Sequence, residues 1–399
     1  MASLTRREFG LAGMGAALAS AGAGRAQASG SAGFHGMSDP GRVRLKQIAS
    51  IDMPRSHEHV MSMSWSPDGS RLVADSSVLN VFDMTTMRFR ARFPIMEAQW
   101  PRRFGFSADG KELIASKALP RRSTENNTAE NNPPAFSVFE TDTGRIVRES
   151  DVLPVFLPDV LGRPDDFSLQ RQRVMQSLTV SPDGRYVIIT LMAGPIPGGL
   201  PGRHFAFLFD GQTGHHLNTA EGVRWSLPTI SRDNRFASEA RPGSLGMHSR
   251  LAVFDLPSFH QRLIFPTLSG MMASLAWSPE GERLAGGMWG SSFPQDKYDS
   301  MTIWNALSGE RLAGFPSGIE PISQLDWHPG GKFIVMTSAK GTGDRGSLLQ
   351  LLPAAGGAPA YRHFASGSTL INGPCFCPRT GRLAWHQQGQ ILIHELQGL

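Results

Sequence analysis

Hydrophobic and polar residues alternate in short runs along most of this chain, and tight-turn signals separate the runs. In one such unit, Met63-Ser64-Trp65 precedes the tetrapeptide Ser66-Pro67-Asp68-Gly69, and Arg71-Leu72-Val73 follows it. Alternation with a period of two predicts a β-strand with one buried face. In the tetrapeptide, proline presets φ, aspartate can bond the backbone ahead of it, and glycine accepts the positive φ that closes the turn. The unit therefore predicts a β-hairpin.

The turn signal occurs seven times. Successive copies begin 41 to 50 residues apart, apart from one interval of 74 residues that a single insertion explains. The later copies are Ser107-Ala108-Asp109-Gly110, Ser181-Pro182-Asp183-Gly184, Ser231-Arg232-Asp233-Asn234, Ser278-Pro279-Glu280-Gly281, His328-Pro329-Gly330-Gly331 and Cys377-Pro378-Arg379-Thr380. A repeat of about 40 to 50 residues is typical of β-propellers.

A second signature follows each hairpin, as in Val81-Phe82-Asp83 and Ile303-Trp304-Asn305, and a turn such as Thr143-Gly144 often comes next. The two signatures together resemble the repeats of WD-repeat propellers, and they cover nearly all of the chain after its first 40 residues. The resemblance implies an all-β fold: a seven-bladed β-propeller of four-stranded antiparallel blades. The chain departs from the family in lacking a repeated Gly-His dipeptide and a strict Trp-Asp, so the resemblance is to a divergent WD repeat.

The strand count predicts how the ring closes. The last repeat, Ile371 to Leu396, supplies only three strands, while Arg42 to Ile51 is an unassigned alternating strand ahead of the first full repeat. We expect this N-terminal strand to be the outermost strand of the last blade, because closure removes the open sheet edges that would recruit other chains. An open or eight-bladed array is the alternative.

The first 28 residues have a different pattern. Arg6 and Arg7 precede a short apolar stretch from Leu11 to Ala21, and small residues around Ala28 suit a cleavage site. This segment resembles twin-arginine translocation signals, which export folded proteins; an ordinary secretory signal is the alternative. We therefore expect a signal peptide over residues 1–28, a flexible linker over 29–41, and a single propeller over 42–399 in the periplasm.

Composition excludes several classes of function. The formal charge is +5, and about +3 without the signal segment, and no basic run indicates a nucleic-acid binder. The only two cysteines, Cys375 and Cys377, cannot form a disulfide framework, and we interpret them as small packing residues between blades. No later segment is apolar enough to cross a membrane, and no cysteine directly follows the expected cleavage site, so we expect the mature protein to be soluble. We also expect it to be a monomer.

Loop lengths indicate where a binding site would lie. If the strands of a blade are lettered a to d from the centre outward, the Ser-Pro-Asp-Gly turns join a to b and the Thr-Gly turns join c to d on one face. Every long insertion belongs to the b–c and d–a connections on the other face. These insertions are Ala118–Pro134, Ser150–Arg173, Ala193–Arg203, Arg241–Arg250, Trp289–Ser300 and Ala339–Gly346. Loops longer than turn chemistry requires often carry function, although drift of surface loops could also produce the bias.

Aromatic, arginine and histidine residues on that face are the predicted binding residues. They are His57, His59, Trp100, Arg102, Arg103, Arg241, Trp289 and Tyr298. Arginine binds carboxylates and phosphates in bidentate fashion, and exposed aromatic residues anchor interfaces. Ion pairing within the loops and packing between blades are alternative uses of these side chains.

His57 and His59 share one side of an extended segment, so they could bind zinc or copper with a third ligand such as His204 or His248. No spacing identifies that third ligand. We therefore predict no metal site and no cofactor, and we interpret this segment as a solvated polar loop.

Local enzyme motifs such as Gly-x-Ser-x-Gly, His-Glu-x-x-His and phosphate loops are absent. The sequence therefore favours a periplasmic module that binds a protein or peptide. The alternative is a propeller enzyme or cofactor-bearing subunit that resembles quinoprotein dehydrogenases or lactonases, because such propellers assemble their sites from single residues on separate blades.

Overall fold

The computed structural model describes residues 43–54, 60–76, 78–93, 104–115, 135–151, 174–192, 204–221, 228–242, 248–265, 268–269, 271–289, 299–316, 322–339, 346–366 and 370–398. These residues form antiparallel sheets that are arranged as seven blades in a ring, which confirms the predicted β-propeller. The signal segment and linker lie outside the described residues.

Each of the first six blades runs from strand a to strand d in chain order. Blade 1 contains β2 (Ser62–Trp65), β3 (Arg71–Asp75), β4 (Leu79–Asp83) and β5 (Arg88–Phe93). Blade 2 contains β6 (Phe104–Phe106), β7 (Glu112–Ala115), β8 (Ser137–Glu140) and β9 (Ile146–Glu149). Blade 3 contains β10 (Val174–Val180), β11 (Tyr186–Met192), β12 (His204–Asp210) and β13 (His216–Glu221). Blade 4 contains β14 (Thr229–Ile230), β15 (Phe236–Pro242), β16 (His248–Asp255) and β17 (His260–Ile264), and an extra strand, β18 (Leu268–Ser269), pairs with β16. Blade 5 contains β19 (Met271–Trp277), β20 (Arg283–Trp289), β21 (Asp299–Asn305) and β22 (Arg311–Pro316). Blade 6 contains β23 (Ile322–Trp327), β24 (Phe333–Ala339), β25 (Gly346–Pro353) and β26 (Tyr361–Ser366). Blade 7 contains β27 (Ile371–Phe376), β28 (Leu383–Gln387), β29 (Gln390–Gln397) and, as its outermost strand, β1 (Arg44–Asp52).

The N-terminal strand closes the ring, as predicted. β1 pairs antiparallel with β29, from Arg44 opposite Gln397 to Asp52 opposite Gln390. Ile51 and the adjoining Met53 are buried between blades 7 and 1. Closure therefore rests on both ends of the propeller: its first strand and its last three.

Serine and aspartate hold the a–b turns in shape. In blade 1 the Ser66 hydroxyl donates to Asp68 Oδ1 at 2.6 Å, while Asp68 Oδ1 accepts from the Ser70 amide at 3.0 Å and Ser66 Oγ from the Arg71 amide at 2.9 Å. The same bonds recur around Ser107, Ser181 and Ser231. The fourth turn residue has a positive φ in blades 1 to 6, from 59° at Asn234 to 75° at Gly281. The turn chemistry read from the sequence is therefore confirmed.

Blade 7 departs from the predicted turn. The expected closing residue, Thr380, does not have the positive φ; Gly381 has it, at 71°, and its amide donates to the Cys377 carbonyl at 2.9 Å. The turn is one residue longer because glycine tolerates the left-handed conformation and a β-branched threonine does not.

In blades 1, 3 and 5, an aspartate or asparagine that ends the c strand caps the turn after it. Asp83 Oδ1 accepts from the amides of Thr85 at 2.9 Å and Thr86 at 3.2 Å. Hydrogen bonding, led by the Thr85 hydroxyl, lowers the pKa of Asp83 to about 2. Asp210 and Asn305 accept equivalent backbone bonds in blades 3 and 5.

In the described ranges the hydrophobic core forms seven clusters, and each cluster lies between two neighbouring blades. The tryptophans that end some a strands also bond across an interface: Trp327 Nε1 donates to the Ala276 carbonyl at 2.9 Å, and Trp65 Nε1 to that of Cys375 at 3.3 Å. A blade thus buries its faces against its neighbours, and an open ring would leave two faces uncovered.

Candidate functional site

The two faces of the propeller differ in the lengths of their connections. The a–b connections contain five residues in blades 1 to 6 and six in blade 7, and the c–d connections contain four to seven. The b–c connections contain two to 21 residues, and the d–a connections four to 24. We call the first set of connections the turn face and the second set the loop face.

Strand pairing extends into three of the predicted insertions, including Ala339–Gly346, where Ala339 pairs with Ser347. In blade 4 the b and c strands continue to Pro242 and from His248, so Arg241 pairs with Arg250 in a hairpin. In blade 5, Trp289 is the last residue of β20 and pairs with Met271. Both predicted residues lie at the ends of b strands, in adjacent blades.

The other predicted site residues lie outside the described residues. They are His57, His59, Trp100, Arg102, Arg103 and Tyr298. The flanking strands fix where their segments attach: each segment joins a d strand to an a strand or a b strand to a c strand. The binding role of these residues stays a prediction.

Buried and half-buried polar side chains lie near the loop-face ends of the strands. The hydroxyls of Ser177 and Thr190 are 2.8 Å apart between β10 and β11, and those of Ser323 and Thr337 are 3.0 Å apart between β23 and β24. In blade 1, Asn80 Nδ2 donates to Ser76 Oγ at 3.1 Å. These bonds satisfy buried polar groups and fix the strand ends from which the connections begin.

Two buried carboxylates lie in b strands, and sequence reasoning missed both of them. Asp75 ends β3 and is 2% exposed, and Glu239 lies in β15 and is fully buried. Aspartate and glutamate are almost never fully buried unless they are paired. The available signal was an acidic residue within an otherwise apolar or small strand segment, as in Ala237-Ser238-Glu239.

A polar junction joins blades 6, 7 and 1 beside the central opening. Gln324 donates through Nε2 to the Met61 carbonyl at 2.7 Å and accepts from the Gly373 amide at 2.5 Å. Pairing between β27 and β28 is irregular between Asn372 and Cys375. The side chain of Gln324 therefore links three blades where strand pairing is interrupted.

Asp326 bridges blades 6 and 7 closer to the turn face. Its Oδ2 accepts from the Phe376 amide at 2.6 Å, and its Oδ1 accepts from the Trp327 amide at 2.9 Å. Burial raises the pKa of Asp326 to about 6, although these bonds and Arg232 favour the charged form. At the equivalent position the other blades hold Ser64, Gly105, Thr179, Thr229, Ala276 and Cys375. Alignment of the repeats could have revealed this single acid.

Both cysteines are buried and free. Burial, with a contribution from nearby Asp326, raises the pKa of Cys375 well above its ordinary value. A buried thiol of this kind is not a nucleophile at neutral pH. The observation supports the interpretation of Cys375 as a packing residue.

Among the described residues, no three histidine, cysteine or acidic side chains lie together in a way that could hold a metal ion. In the same part of the chain, no helix has the length and apolar character needed to cross a membrane.

Comparison with known proteins identifies one repeat. Residues 48–83 match the family model described as WD domain, G-beta repeat. The match begins in β1 and ends with β4, so it includes the outermost strand of blade 7 and the first three strands of blade 1. No curated protein matches the chain. Propellers of the WD-repeat type are typically protein-interaction modules, and this chain contains a segment similar to one of their repeats.

Proposed function

We propose that this protein is an exported propeller that binds a protein or peptide through its loop face. The observation that carries the proposal is the difference between the faces: the a–b connections keep nearly one length around the ring, while the b–c and d–a connections reach 21 and 24 residues. Connections that only close a blade need no such length, because blade 7 closes its b–c connection with Gln388 and Gly389 alone.

Hydrogen bonding in the turns also favours the loop face. The serine and aspartate side chains of the a–b turns are bonded within their own turns. Arg283 illustrates how the turns are used between blades, because it pairs with Glu280 and donates to the Gly331 carbonyl of blade 6 at 3.0 Å. These side chains of the turn face are thus already engaged within the ring.

The proposed recognition chemistry rests on residues of the loop-face connections. Trp100, Trp289 and Tyr298 would supply aromatic anchors, and Arg102, Arg103 and Arg241 would pair with acidic groups of the partner. His57 and His59 would lie on the same face, beside the central opening of the propeller. The paired arginines of the N-terminal segment support export to the periplasm, where the partner would be found.

Loop replacement tests the proposal. In one variant, residues 290–298 are replaced by Gln-Gly; in a second, residues 117–133 are replaced in the same way, which keeps the buried Ala135 and Phe136. Stability should change little, because loop closure changes by only about 0.6 kcal/mol per doubling of length. Immobilised mature protein is incubated with periplasmic extract, and the captured proteins are quantified by mass spectrometry. Both variants should fail to capture the partner that the unaltered protein captures.

The matched control changes the turn face. Lys111 and Arg145 have side chains that are 82% and 71% exposed, and both would be replaced by glutamate. This variant should capture the same partner as the unaltered protein. Retained capture by the loop variants, together with loss of capture in the control, would place the binding surface on the turn face instead.

A further inference from the structure

Blades 6 and 7 border a pocket of about 250 Å³ on the turn face. His328, Thr380, Gly381, Arg382, Glu395 and Leu396 line it. His328 occupies the position of the first turn serine in blade 6, and the next three residues belong to the altered a–b turn of blade 7. The pocket therefore lies where two neighbouring turns depart from the repeat.

The imidazole of His328 has a fixed tautomer. Its Nδ1 accepts from the Gly330 amide at 3.0 Å, so the proton of the neutral ring is on Nε2. Burial, and then nearby Lys332, lower the pKa of His328, so the ring is neutral at neutral pH. Nε2 faces Gly381, and a side chain at that position would place its β-carbon only 2.6 Å from Nε2. Glycine at 381 thus leaves the Nε2–H open toward the pocket.

Arg382 has unused donors, in contrast to its counterpart in blade 5. Arg283 pairs with Glu280, donates to the Gly331 carbonyl and packs over Trp327. Arg382 makes a single side-chain bond in the described part of the chain, to Glu395 at 3.2 Å, and its side chain is 36% exposed. Its other N–H groups can therefore reach a ligand.

The charge pattern of the turn face changes at the same place. The third turn residue is acidic in five successive blades: Asp68, Asp109, Asp183, Asp233 and Glu280. It is Gly330 in blade 6 and Arg379 in blade 7. The pocket therefore lies beside a basic interruption of an acidic arc, which favours an anion at this point of the face.

We propose that this pocket binds a carboxylate group, held by His328 Nε2–H, the Thr380 hydroxyl and Arg382. A planar carboxylate suits the fork of a guanidinium. Glu395 repels any anion, and it repels a doubly charged phosphate more strongly than a singly charged carboxylate. Leu396 supplies an apolar wall for the carbon atoms that carry the carboxylate. The pocket volume suits a small acid or the C-terminal residue of a peptide. This site lies on the face opposite the proposed partner site and does not depend on it.

Titration of the mature protein with N-acetyl-alanine, N-acetyl-alanine amide, acetate and inorganic phosphate tests the proposal, with the His328 side-chain nitrogens observed by NMR. We expect saturable binding of N-acetyl-alanine with a shift at Nε2, and no binding of its amide. If acetate binds as tightly as N-acetyl-alanine, the ligand of the pocket is a free small acid. If acetate binds more weakly, the ligand is the C-terminal residue of a peptide. Equal binding of acid and amide, equal binding of phosphate, or no binding of the acid would each overturn the proposal.

Variants separate recognition from folding. His328→Ser restores the residue found in five other turns. Arg382→Gln removes the guanidinium fork and its charge, and Thr380→Val removes the hydroxyl donor. Each should weaken N-acetyl-alanine binding by about tenfold or more, because a hydrogen bond to a charged group is lost. The loop-face variant that lacks residues 290–298 should bind the acid unchanged. Full affinity in His328→Ser and Arg382→Gln, with native circular dichroism, would refute the assignment.

Discussion

Replacement of Asp326 by asparagine tests whether the buried charge of this carboxylate, at the junction between blades 6 and 7, destabilises the folded protein. Asp326 accepts one amide bond from each blade, and burial dominates its environment. Arg232 is the cation that favours its charged form, and the neighbouring Cys375 thiol is protonated. Asparagine has nearly the same shape and cannot carry the charge.

The magnitude follows from the pKa of about 6 in the folded protein against an ordinary value of 3.8. A difference of about two units corresponds to about 3 kcal/mol. Because the folded state binds this proton more tightly than the unfolded chain does, the free energy of unfolding decreases as pH rises from about 4 to about 6. The full penalty is present above that range. Asparagine removes it, but its Nδ2 group cannot accept, so one of the two amide bonds is lost at a cost of about 1 kcal/mol, and we expect a net gain of about 2 kcal/mol at pH 7.5.

Urea unfolding followed by tryptophan fluorescence measures the effect at pH 4.5 and pH 7.5. Asp326→Asn should be more stable than the unaltered protein at pH 7.5, and the two should converge at pH 4.5. Asp109→Asn is the control of opposite sign, because the Ser107 hydroxyl and the Lys111 amide lower the pKa of Asp109. That variant should lose stability at pH 7.5. A destabilising effect of the buried charge would be refuted if Asp326→Asn were less stable than the unaltered protein at pH 7.5. It would also be refuted if the two proteins differed by the same free energy of unfolding at both pH values.

Three further predictions follow from closure, turn geometry and export. Deletion of residues 29–53 removes β1 and should lower the melting temperature and cause self-association in light scattering, so a monomer with unchanged melting would contradict closure by this strand. Gly184→Ala should cost more than Gly357→Ala in urea unfolding: both have positive φ, which costs alanine about 1–2 kcal/mol, but a β-carbon at 184 would also lie 2.6 Å from a backbone oxygen of blade 2. Equal costs would show that blade contacts do not matter there. Replacement of Arg6 and Arg7 by lysine should leave precursor in the cytoplasm on immunoblots, and normal export would exclude the twin-arginine pathway.

The sequence by itself determined the blades, their turns and the closing strand. These features depend on local chemistry: a period of two defines strand faces, and Ser-Pro-Asp-Gly places a hydroxyl, a preset φ, an acceptor and a positive φ in one turn. Closure followed from strand number alone. The errors were also local, because Gly381 rather than Thr380 closes the last turn, and strand pairing at Arg241 and Arg250 extends into an expected loop.

Only the tertiary structure decided which polar residues meet between blades. Asp326 and the Phe376 amide are 50 residues apart in the chain, and Gln324 and the Met61 carbonyl are 263 residues apart. Alternation shows that a side chain leaves one side of a strand, but it does not show which group of the next blade faces it. The ring brings equivalent positions of successive repeats together. A residue that departs from the repeat, such as His328, therefore contacts a residue of the next blade, here Gly381, that its own segment does not identify.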